Sequence, residues 1–194
     1  MKKSIVWLAS YPKSGNTWTR LFLANYLFNT NAPLSINEVH RLGMGDAVGT
    51  AYQKVLGKKL PPGDWGYSLS SRVRALNAVV ANKADINFVK THNFNDNVFG
   101  FRLIPEQLTR SAVYIIRNPL DMVISYAKHF GVSVEQAAEQ IGTSGNASPG
   151  DEGTTEQFFG TWSQHVTSWT MKQDYPVCVL QYENMLEDPH SEFR

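Results

Sequence analysis

The sequence has a single cysteine, almost no net charge and no long apolar run. Cys178 is the one cysteine among 194 residues, so an internal disulfide and a metal site built on several cysteines are both excluded. Its apolar neighbours Val177, Val179 and Leu180 predict a buried, inert thiol. Eighteen basic and 17 acidic residues give a formal net charge of +1, so no general field attracts nucleic acid. Any anion-binding site must therefore be local.

No apolar run approaches the roughly 18 residues of a membrane-spanning helix. The run at residues 5–10 is followed by Tyr11-Pro12-Lys13, which interrupts it before the apolar part of a signal peptide is complete. We therefore expect no membrane span and a cytoplasmic location, provided that no targeting segment has been removed. Nothing in the sequence specifies an oligomeric state.

Short apolar runs alternate with helical patterns along the chain. Compact runs typical of strands covered on both faces occur at residues 5–10, 87–90, 112–116 and 177–180. Apolar residues at helical spacing predict helices over residues 17–28, 70–81, 119–130 and 155–172. This alternation predicts one α/β domain over residues 1–194, with helices flanking a central, mainly parallel sheet. Residues 43–66 and 142–153 are predicted to be mobile loops near a site.

The segment Tyr-Pro-Lys-Ser-Gly-Asn-Thr-Trp at residues 11–18 lies between the first predicted strand and the first predicted helix. The free N–H groups at a helix start hold anions, together with the helix dipole. Gly15 lets the backbone approach a phosphate, Lys13 supplies a positive charge, and Ser14, Asn16 and Thr17 add short polar side chains. A Walker A loop would have a glycine directly before the lysine and another upstream. The segment predicts a phosphate-binding loop in a three-layer, P-loop-like fold.

These residues resemble the sulfotransferase family, whose members use the donor 3′-phosphoadenosine 5′-phosphosulfate (PAPS) and release 3′-phosphoadenosine 5′-phosphate (PAP). The family's 5′-phosphosulfate loop has the pattern Tyr-Pro-Lys-Ser-Gly-Thr-Thr-Trp, from which residues 11–18 depart only at Asn16. The resemblance implies that Lys13 contacts the bridging oxygen and the leaving phosphate. It also implies that residues 14–17 cradle the 5′ group and that Trp18 stacks near the adenine. Core packing is the alternative for Trp18.

A second motif, Arg-Asn-Pro-Leu-Asp-Met-Val-Ile-Ser-Tyr at residues 117–126, follows the third predicted strand. Arg117 stands at the strand end, and Ser125 lies two turns beyond the helix cap Asn118 on the same helix face. A guanidinium fork and a hydroxyl suit a terminal phosphate monoester, although Arg117 could instead pair with Asp121. The resemblance implies that Arg117 and Ser125 bind the 3′-phosphate of the donor.

Lys90, Thr91 and His92 end the second predicted strand. An unperturbed histidine titrates near pH ~6.5, so it can accept the proton of an attacking hydroxyl or amine at physiological pH. The family carries Lys-Thr-His at this place. The resemblance implies that His92 is the general base and that Lys90 stabilises the transferring group. The remaining histidines are predicted to be surface or packing residues: His40, His129, His165 and His190. The helix face that carries His165 could also border the acceptor pocket.

Tyr182 follows the last predicted strand, in a tyrosine-acidic segment similar to one with which the family holds the nucleotide. Capping or packing is the alternative for this residue. Lys13, Lys90, His92 and Arg117 also stand at or just after strand ends. Because ligands of open parallel sheets bind beyond the carboxyl ends of the strands, these side chains are expected to meet at one edge.

Two other functions are open. A P-loop kinase or other phosphotransferase needs an acidic residue at the end of a later strand to hold Mg²⁺. Arg117 stands there, so we expect no metal requirement. A non-catalytic nucleotide-binding relative is the other alternative, because the family's domain continues with an Arg-Lys-Gly segment that also grips the 3′-phosphate. This sequence contains no Arg-Lys-Gly, and we expect it to lack the C-terminal part of the domain.

The resemblance implies transfer of a sulfuryl group to a hydroxyl or amine of a small-molecule acceptor. The acceptor class is open among phenols, alcohols, amines, lipids and sugars. Several aromatic residues could line an apolar acceptor pocket or pack in the core: Trp65, Tyr67, Phe94, Phe99 and Phe101.

Overall fold

The computed structural model describes residues 3–29, 31–60, 63–171 and 173–193. In chain order the strands are β1 (Ile5–Ser10), β2 (Gly43–Gly45), β3 (Asn87–Thr91), β4 (Asn97–Val98), β5 (Phe101–Arg102), β6 (Thr109–Ile116), β7 (Ala147–Ser148), β8 (Gln157–Phe158) and β9 (Val177–Gln181). The α-helices are α1 (Asn16–Phe28), α2 (Gly49–Leu56), α3 (Trp65–Val79), α4 (Pro119–Phe130), α5 (Val134–Ile141), α6 (Trp162–Thr170), α7 (Tyr182–Glu187) and α8 (Pro189–Glu192), and Ile36–Arg41 form a 3₁₀ helix. None of the described helices is long and apolar enough to cross a membrane.

A parallel sheet with the strand order β2-β3-β1-β6-β9 forms the centre of the molecule. The four predicted strands are confirmed, and β2 adds a fifth within a segment predicted to be a loop. The hairpins β4-β5 and β7-β8 are antiparallel and lie outside this sheet. Because all five strands run in the same direction, their carboxyl ends meet at one edge.

Helices cover both faces of the sheet. Side chains alternate between the faces along a strand. In β1, Trp7 packs in a core with Leu76 of α3 and Trp169 of α6, whereas Leu8 packs with Ala24 of α1. All five side chains are buried, and burial of a large apolar side chain stabilises the fold by about 1.5–3 kcal/mol. The predicted three-layer α/β architecture is confirmed.

The helix predicted over residues 155–172 begins too early. Residues 157–158 form β8 instead, and the chain then turns through Gly160, whose φ is +63°. Thr161 caps α6, because its hydroxyl accepts a hydrogen bond from the backbone N–H of Gln164 at 2.9 Å. The predicted end of this helix, Lys172, lies outside the described residues.

The segment at residues 43–66 is not the loop that its glycines and prolines predict. It contains β2, α2 and the first residues of α3. A glycine is required at Gly43, because a Cβ there would lie 1.9 Å from the carbonyl oxygen of Phe88 in the neighbouring strand. α3 begins at Trp65 rather than residue 70, since the carboxylate of Asp64 caps its first turn.

The prediction of a buried thiol at Cys178 is wrong. β9 is the last strand of the sheet, so one of its edges has no neighbouring strand within the described part of the chain. Cys178 and Val179 are exposed there. The apolar sequence of β9 predicts burial on both faces. The strand is partly exposed instead because it is the last strand of the sheet.

Candidate active site

A cavity of about 460 Å³ opens at the carboxyl edge of the sheet. Every residue predicted for the site lines it except Ser14, whose buried hydroxyl makes no hydrogen bond to any described residue. The structure thus brings together the loop after β1, the end of β3, the start of α4 and the first residue of α7. The cavity is also lined by Pro12, His129, Phe130, Ser148, Gln157 and Phe159.

The loop after β1 has two residues in the left-handed region, Lys13 with φ +68° and Gly15 with φ +97°. This conformation costs a residue with a Cβ about 1–2 kcal/mol. Arg117 offsets this conformational cost at Lys13, because its Nη1 donates a hydrogen bond to the Lys13 carbonyl oxygen at 2.9 Å. Within the described residues no side chain caps α1 at Gly15. Its first N–H groups therefore keep the anion-binding capacity of a free helix start.

Asn16 fastens the start of α1 to β1. Its Nδ2 donates to the carbonyl oxygen of Leu8 at 2.9 Å and to the hydroxyl of Ser10 at 3.3 Å. The next two residues, Thr17 and Trp18, are exposed and line the cavity. Trp18 is 38% exposed, so it does not pack in the core.

Tyr182 connects the loop to Arg117. Its ring lies so close to Gly15 that a Cβ at that position would be 2.5 Å from Cδ2. The guanidinium of Arg117 lies over the same ring, 4.2 Å from its centroid, in a cation–π arrangement. The buried Nε of Arg117 makes no hydrogen bond within the described residues.

Two hydrogen bonds of Asn118 fix the start of α4. Its side-chain oxygen caps the helix by accepting a hydrogen bond from the N–H of Leu120 at 3.0 Å. Its backbone N–H donates to the Glu183 carboxylate at 2.9 Å. Ser125 lies further along this helix and lines the cavity. No ion pair joins Arg117 to Asp121 among the described residues, contrary to the alternative that the sequence left open.

His92 has a defined tautomer. Its Nδ1 lies 2.8 Å from the carbonyl oxygen of Ser10, which can only accept, so Nδ1 carries the proton and Nε2 carries the lone pair. Burial lowers the pKa of His92 well below its ordinary value, and the charge of Lys90 lowers it further. His92 is therefore neutral at physiological pH and can accept a proton.

His165 supports His92 from inside the core. Its Nε2 donates to the His92 carbonyl oxygen at 3.1 Å, and its Nδ1 accepts from the Tyr114 hydroxyl at 3.0 Å. Burial lowers the pKa of His165 to about 3, so this ring stays neutral. The predicted packing role of His165 is confirmed.

Lys13, Lys90 and His129 place three basic side chains in the cavity lining, of which the two lysines supply positive charge. Burial lowers the pKa of Lys90, and the carboxylate of Asp46 opposes that effect. His129 is exposed, as predicted, but it also lines the cavity, and burial and the two lysines lower its pKa. Its position one turn after Ser125 is the sequence signal that identifies it. The described residues contain no group of three or more His, Cys, Asp or Glu that could hold a metal ion.

The aromatic residues considered for an acceptor pocket do not line this cavity. Trp65 and Phe99 stack with ring centroids 6.1 Å apart in an exposed cluster elsewhere. Phe130 and Phe159 line the cavity instead, and the ring of Phe130 contacts His129 edge-on, with centroids 4.8 Å apart. Phe159 was missed because the helix predicted over residues 155–172 assigned it to a core stripe.

A family model of the sulfotransferase domain matches residues 3–194. The chain belongs to the sulfotransferase family. Among curated relatives of this sulfotransferase chain, Sulfotransferase 1 family member D1 of Mus musculus is 26% identical over 202 residues, covering 96% of the chain and 55% of the relative. Sulfotransferase 1A1 of Rattus norvegicus is 26% identical over 205 residues, covering 96% and 56%. The chain spans about half the length of these relatives. That the domain continues beyond residue 194 stays a prediction.

Solved structures confirm the fold of this sulfotransferase chain. Retinol dehydratase in complex with retinol and PAP has a TM-score of 0.58 at 18% identity, covering 97% of this chain and 57% of that one. Retinol dehydratase in complex with androsterone and inactive cofactor PAP has a TM-score of 0.58 at 16% identity, with the same coverage. The P-loop-like, three-layer α/β architecture is therefore confirmed.

Proposed function

We propose that this chain transfers a sulfuryl group from PAPS to a hydroxyl or amine of a small-molecule acceptor, in line, with His92 as general base. One observation carries the proposal: the hydrogen bond from His92 Nδ1 to the Ser10 carbonyl oxygen, which leaves Nε2 as a base nitrogen. His92 lines the same cavity as the phosphate-binding loop. PAP is the nucleotide product, and the chemistry requires no metal.

Three side chains divide the chemistry. His92 Nε2 takes the proton of the acceptor hydroxyl or amine as the acceptor atom bonds to sulfur. The bond between sulfur and the bridging oxygen breaks, and negative charge remains on the 5′-phosphate of PAP. Lys13 neutralises that charge, and Lys90 stabilises the oxygens of the transferring group. Their common position in the cavity lining supports these roles.

The donor has two anionic ends, and the cavity lining offers a place for each. Arg117 and Ser125 hold the 3′-phosphate, and their common position in the cavity lining supports this role. Trp18 and Tyr182 border the nucleotide. Since ATP has no 3′-phosphate, this arrangement favours PAPS. The 5′-phosphosulfate is held by the loop residues Lys13, Ser14, Gly15, Asn16 and Thr17.

The acceptor occupies the part of the cavity beyond the lysines. Phe130 and Phe159 form apolar walls there, while Ser148, Gln157 and His129 supply polar groups. This mixture suits a small molecule with an apolar body and one reactive hydroxyl or amine. The proposal also includes a cytoplasmic location and no nucleic-acid partner.

The role of His92 is tested with His92→Ala, with His40→Ala as the control. His40 is exposed on the 3₁₀ helix and does not line the cavity. We expect His92→Ala to bind PAP with unchanged affinity and to lose sulfuryl transfer by about 10²- to 10⁴-fold, because the proton of the acceptor has no base. Transfer at the wild-type rate by His92→Ala would overturn the assignment. A wild-type protein that binds PAP but transfers to no acceptor is instead a non-catalytic relative.

A further inference from the structure

A buried ion pair lies behind the carboxyl end of β3. Asp46 and Arg72 are 4% and 3% exposed, and Arg72 Nη2 donates to Asp46 Oδ2. Arg72 also donates from Nε to the carbonyl oxygen of Leu103 at 2.6 Å and from Nη1 to the hydroxyl of Tyr52 at 3.2 Å. Burial by itself would lower the pKa of Arg72, but interactions with Tyr52 and Asp46 hold that pKa above its ordinary value. Arg72 therefore stays charged.

The same carboxylate fastens the residues on either side of His92. Asp46 Oδ2 accepts from Thr91 Oγ1 at 2.7 Å and from Asn93 Nδ2 at 2.9 Å. The backbone N–H of Asp46 donates to the carbonyl oxygen of Lys90 at 2.9 Å. In addition, the N–H of Asn93 donates to Thr91 Oγ1 at 3.0 Å. Asp46 thus holds all three residues: Thr91 and Asn93 through its carboxylate, and Lys90 through its backbone N–H.

The short strand β2 brings Asp46 to this place. Its register pairs Gly45 with Lys90, so Asp46 follows directly beside the end of β3. The close approach of Gly43 to the backbone of Phe88 keeps this register, since any side chain at Gly43 would push the strands apart. β2 contributes no large buried apolar side chain, so its main consequence for the molecule is the position of Asp46.

Stability alone does not explain this arrangement. Replacing a buried ion pair with apolar residues is often neutral or stabilising, so such a pair is a weak stabiliser. A displacement of about 1 Å at a reacting group, in contrast, can cost about 100-fold in rate. We propose that Asp46, balanced by Arg72, is a positioning residue that fixes Lys90 and His92 for the reaction. This inference rests on the proposed function. Asp46 does not line the cavity and acts through β3.

Thr91→Val tests the proposal without leaving a buried charge unpaired. It removes the hydroxyl that joins Asp46 to the N–H of Asn93, and it keeps the size and branching of the side chain. Thr109→Val is the matched control. Thr109 is also 0% exposed, and its hydroxyl likewise makes two hydrogen bonds, from Trp7 Nε1 at 2.9 Å and to the carbonyl oxygen of Pro105 at 2.9 Å. Thr109 is the first residue of β6, so it lies at the amino end of the strands, opposite the carboxyl edge that carries the cavity.

We expect Thr91→Val to lower kcat for sulfuryl transfer about 10- to 100-fold while the Kd for PAP stays within about threefold of wild type. Thr109→Val is expected to lose similar thermal stability and to keep the wild-type kcat. Thr91→Ser, which keeps the hydroxyl, is expected to restore most of the rate. If Thr91→Val does not fold, Thr91→Ala replaces it. A kcat for Thr91→Val equal to that of Thr109→Val would overturn the proposal.

Nitrogen NMR of the His92 ring gives a readout that does not need activity. The wild-type ring is expected to hold its proton on Nδ1, because that atom donates to Ser10. In Thr91→Val this preference is expected to weaken and the pKa of His92 to move toward its ordinary value. If wild-type protein transfers no sulfuryl group, the proposed function fails on its own. The positioning inference is then decided by this spectrum, and an unchanged His92 ring in Thr91→Val would overturn it.

Discussion

Gly15→Ala perturbs the loop after β1 at its tightest point. The φ of +97° places the residue in the left-handed region, which costs alanine about 1–2 kcal/mol. The new Cβ would also lie 2.5 Å from Cδ2 and 2.9 Å from Cε2 of Tyr182. Overpacking of this kind costs about 1–3 kcal/mol more. We expect a total loss of about 2–5 kcal/mol in the free energy of unfolding.

Gly57→Ala separates the two contributions. Gly57 has a φ of +70°, and a Cβ there would meet nothing within 4 Å, so the conformational cost of about 1–2 kcal/mol remains alone. The difference between the variants, about 1–3 kcal/mol, corresponds to about 2–12 °C in Tm. Because the clash displaces the Tyr182 ring from Arg117, Gly15→Ala is also expected to weaken PAP at least about tenfold. Gly57→Ala is expected to bind PAP normally.

Thermal unfolding and calorimetric titration with PAP measure both effects. Truncating the ring provides a further check, because Tyr182→Ala removes the atoms that the new Cβ meets. In that background, Gly15→Ala is expected to cost no more stability than Gly57→Ala does in wild type. Equal Tm values for Gly15→Ala and Gly57→Ala, with unchanged PAP affinity, would refute the described contact between the loop and α7.

Two further predictions concern charge. Arg117→Lys keeps a positive charge but loses the guanidinium fork, so we expect PAP to bind about 10- to 100-fold more weakly. The affinity for 5′-AMP, which lacks the 3′-phosphate, is expected to fall much less. Equal losses of affinity in titrations with the two nucleotides would contradict the assignment of Arg117 to the 3′-phosphate. The pKa of His165, lowered to about 3, implies that stability falls as pH drops below about 6.5, because only the unfolded state then binds a proton at this ring. At pH 4.5 the loss is about 2–3 kcal/mol. Urea titrations across pH are expected to show that stability depends less steeply on pH in His165→Gln. Tyr114→Phe, which loses one hydrogen bond of His165 but keeps the histidine ring, is expected to keep the wild-type pH dependence. An unchanged pH dependence in His165→Gln would assign the effect to other groups.

Local sequence patterns predicted much of the fold and the site. The cavity-lining loop at residues 11–18 and the start of α4 could be recognised because strand end, cap and helix start follow one another within a few residues. The parallel sheet then required Lys90, His92 and Arg117 to meet at one edge. The order of strands was not predictable in the same way, and so the exposure of Cys178 on β9 was missed.

Contacts between residues distant in sequence account for what was missed. Asp46 meets Thr91 through a three-residue strand that is too short and too rich in glycine to predict. The tautomer of His92 depends on a carbonyl oxygen of Ser10, at the end of another strand. A sequence offers no local pattern for either contact, because each depends on the register between neighbouring strands.

The most direct test of the account is a transfer assay with radiolabelled PAPS in the presence of a metal chelator. Phenols, alcohols, amines, lipids and sugars are offered as separate acceptor classes, and labelled ATP is offered in parallel with Mg²⁺. We predict that sulfur label moves to at least one hydroxyl or amine acceptor, with one PAP released per transfer and no phosphoryl transfer from ATP. Phosphoryl transfer from ATP that depends on Mg²⁺, without any transfer from PAPS, would contradict the account.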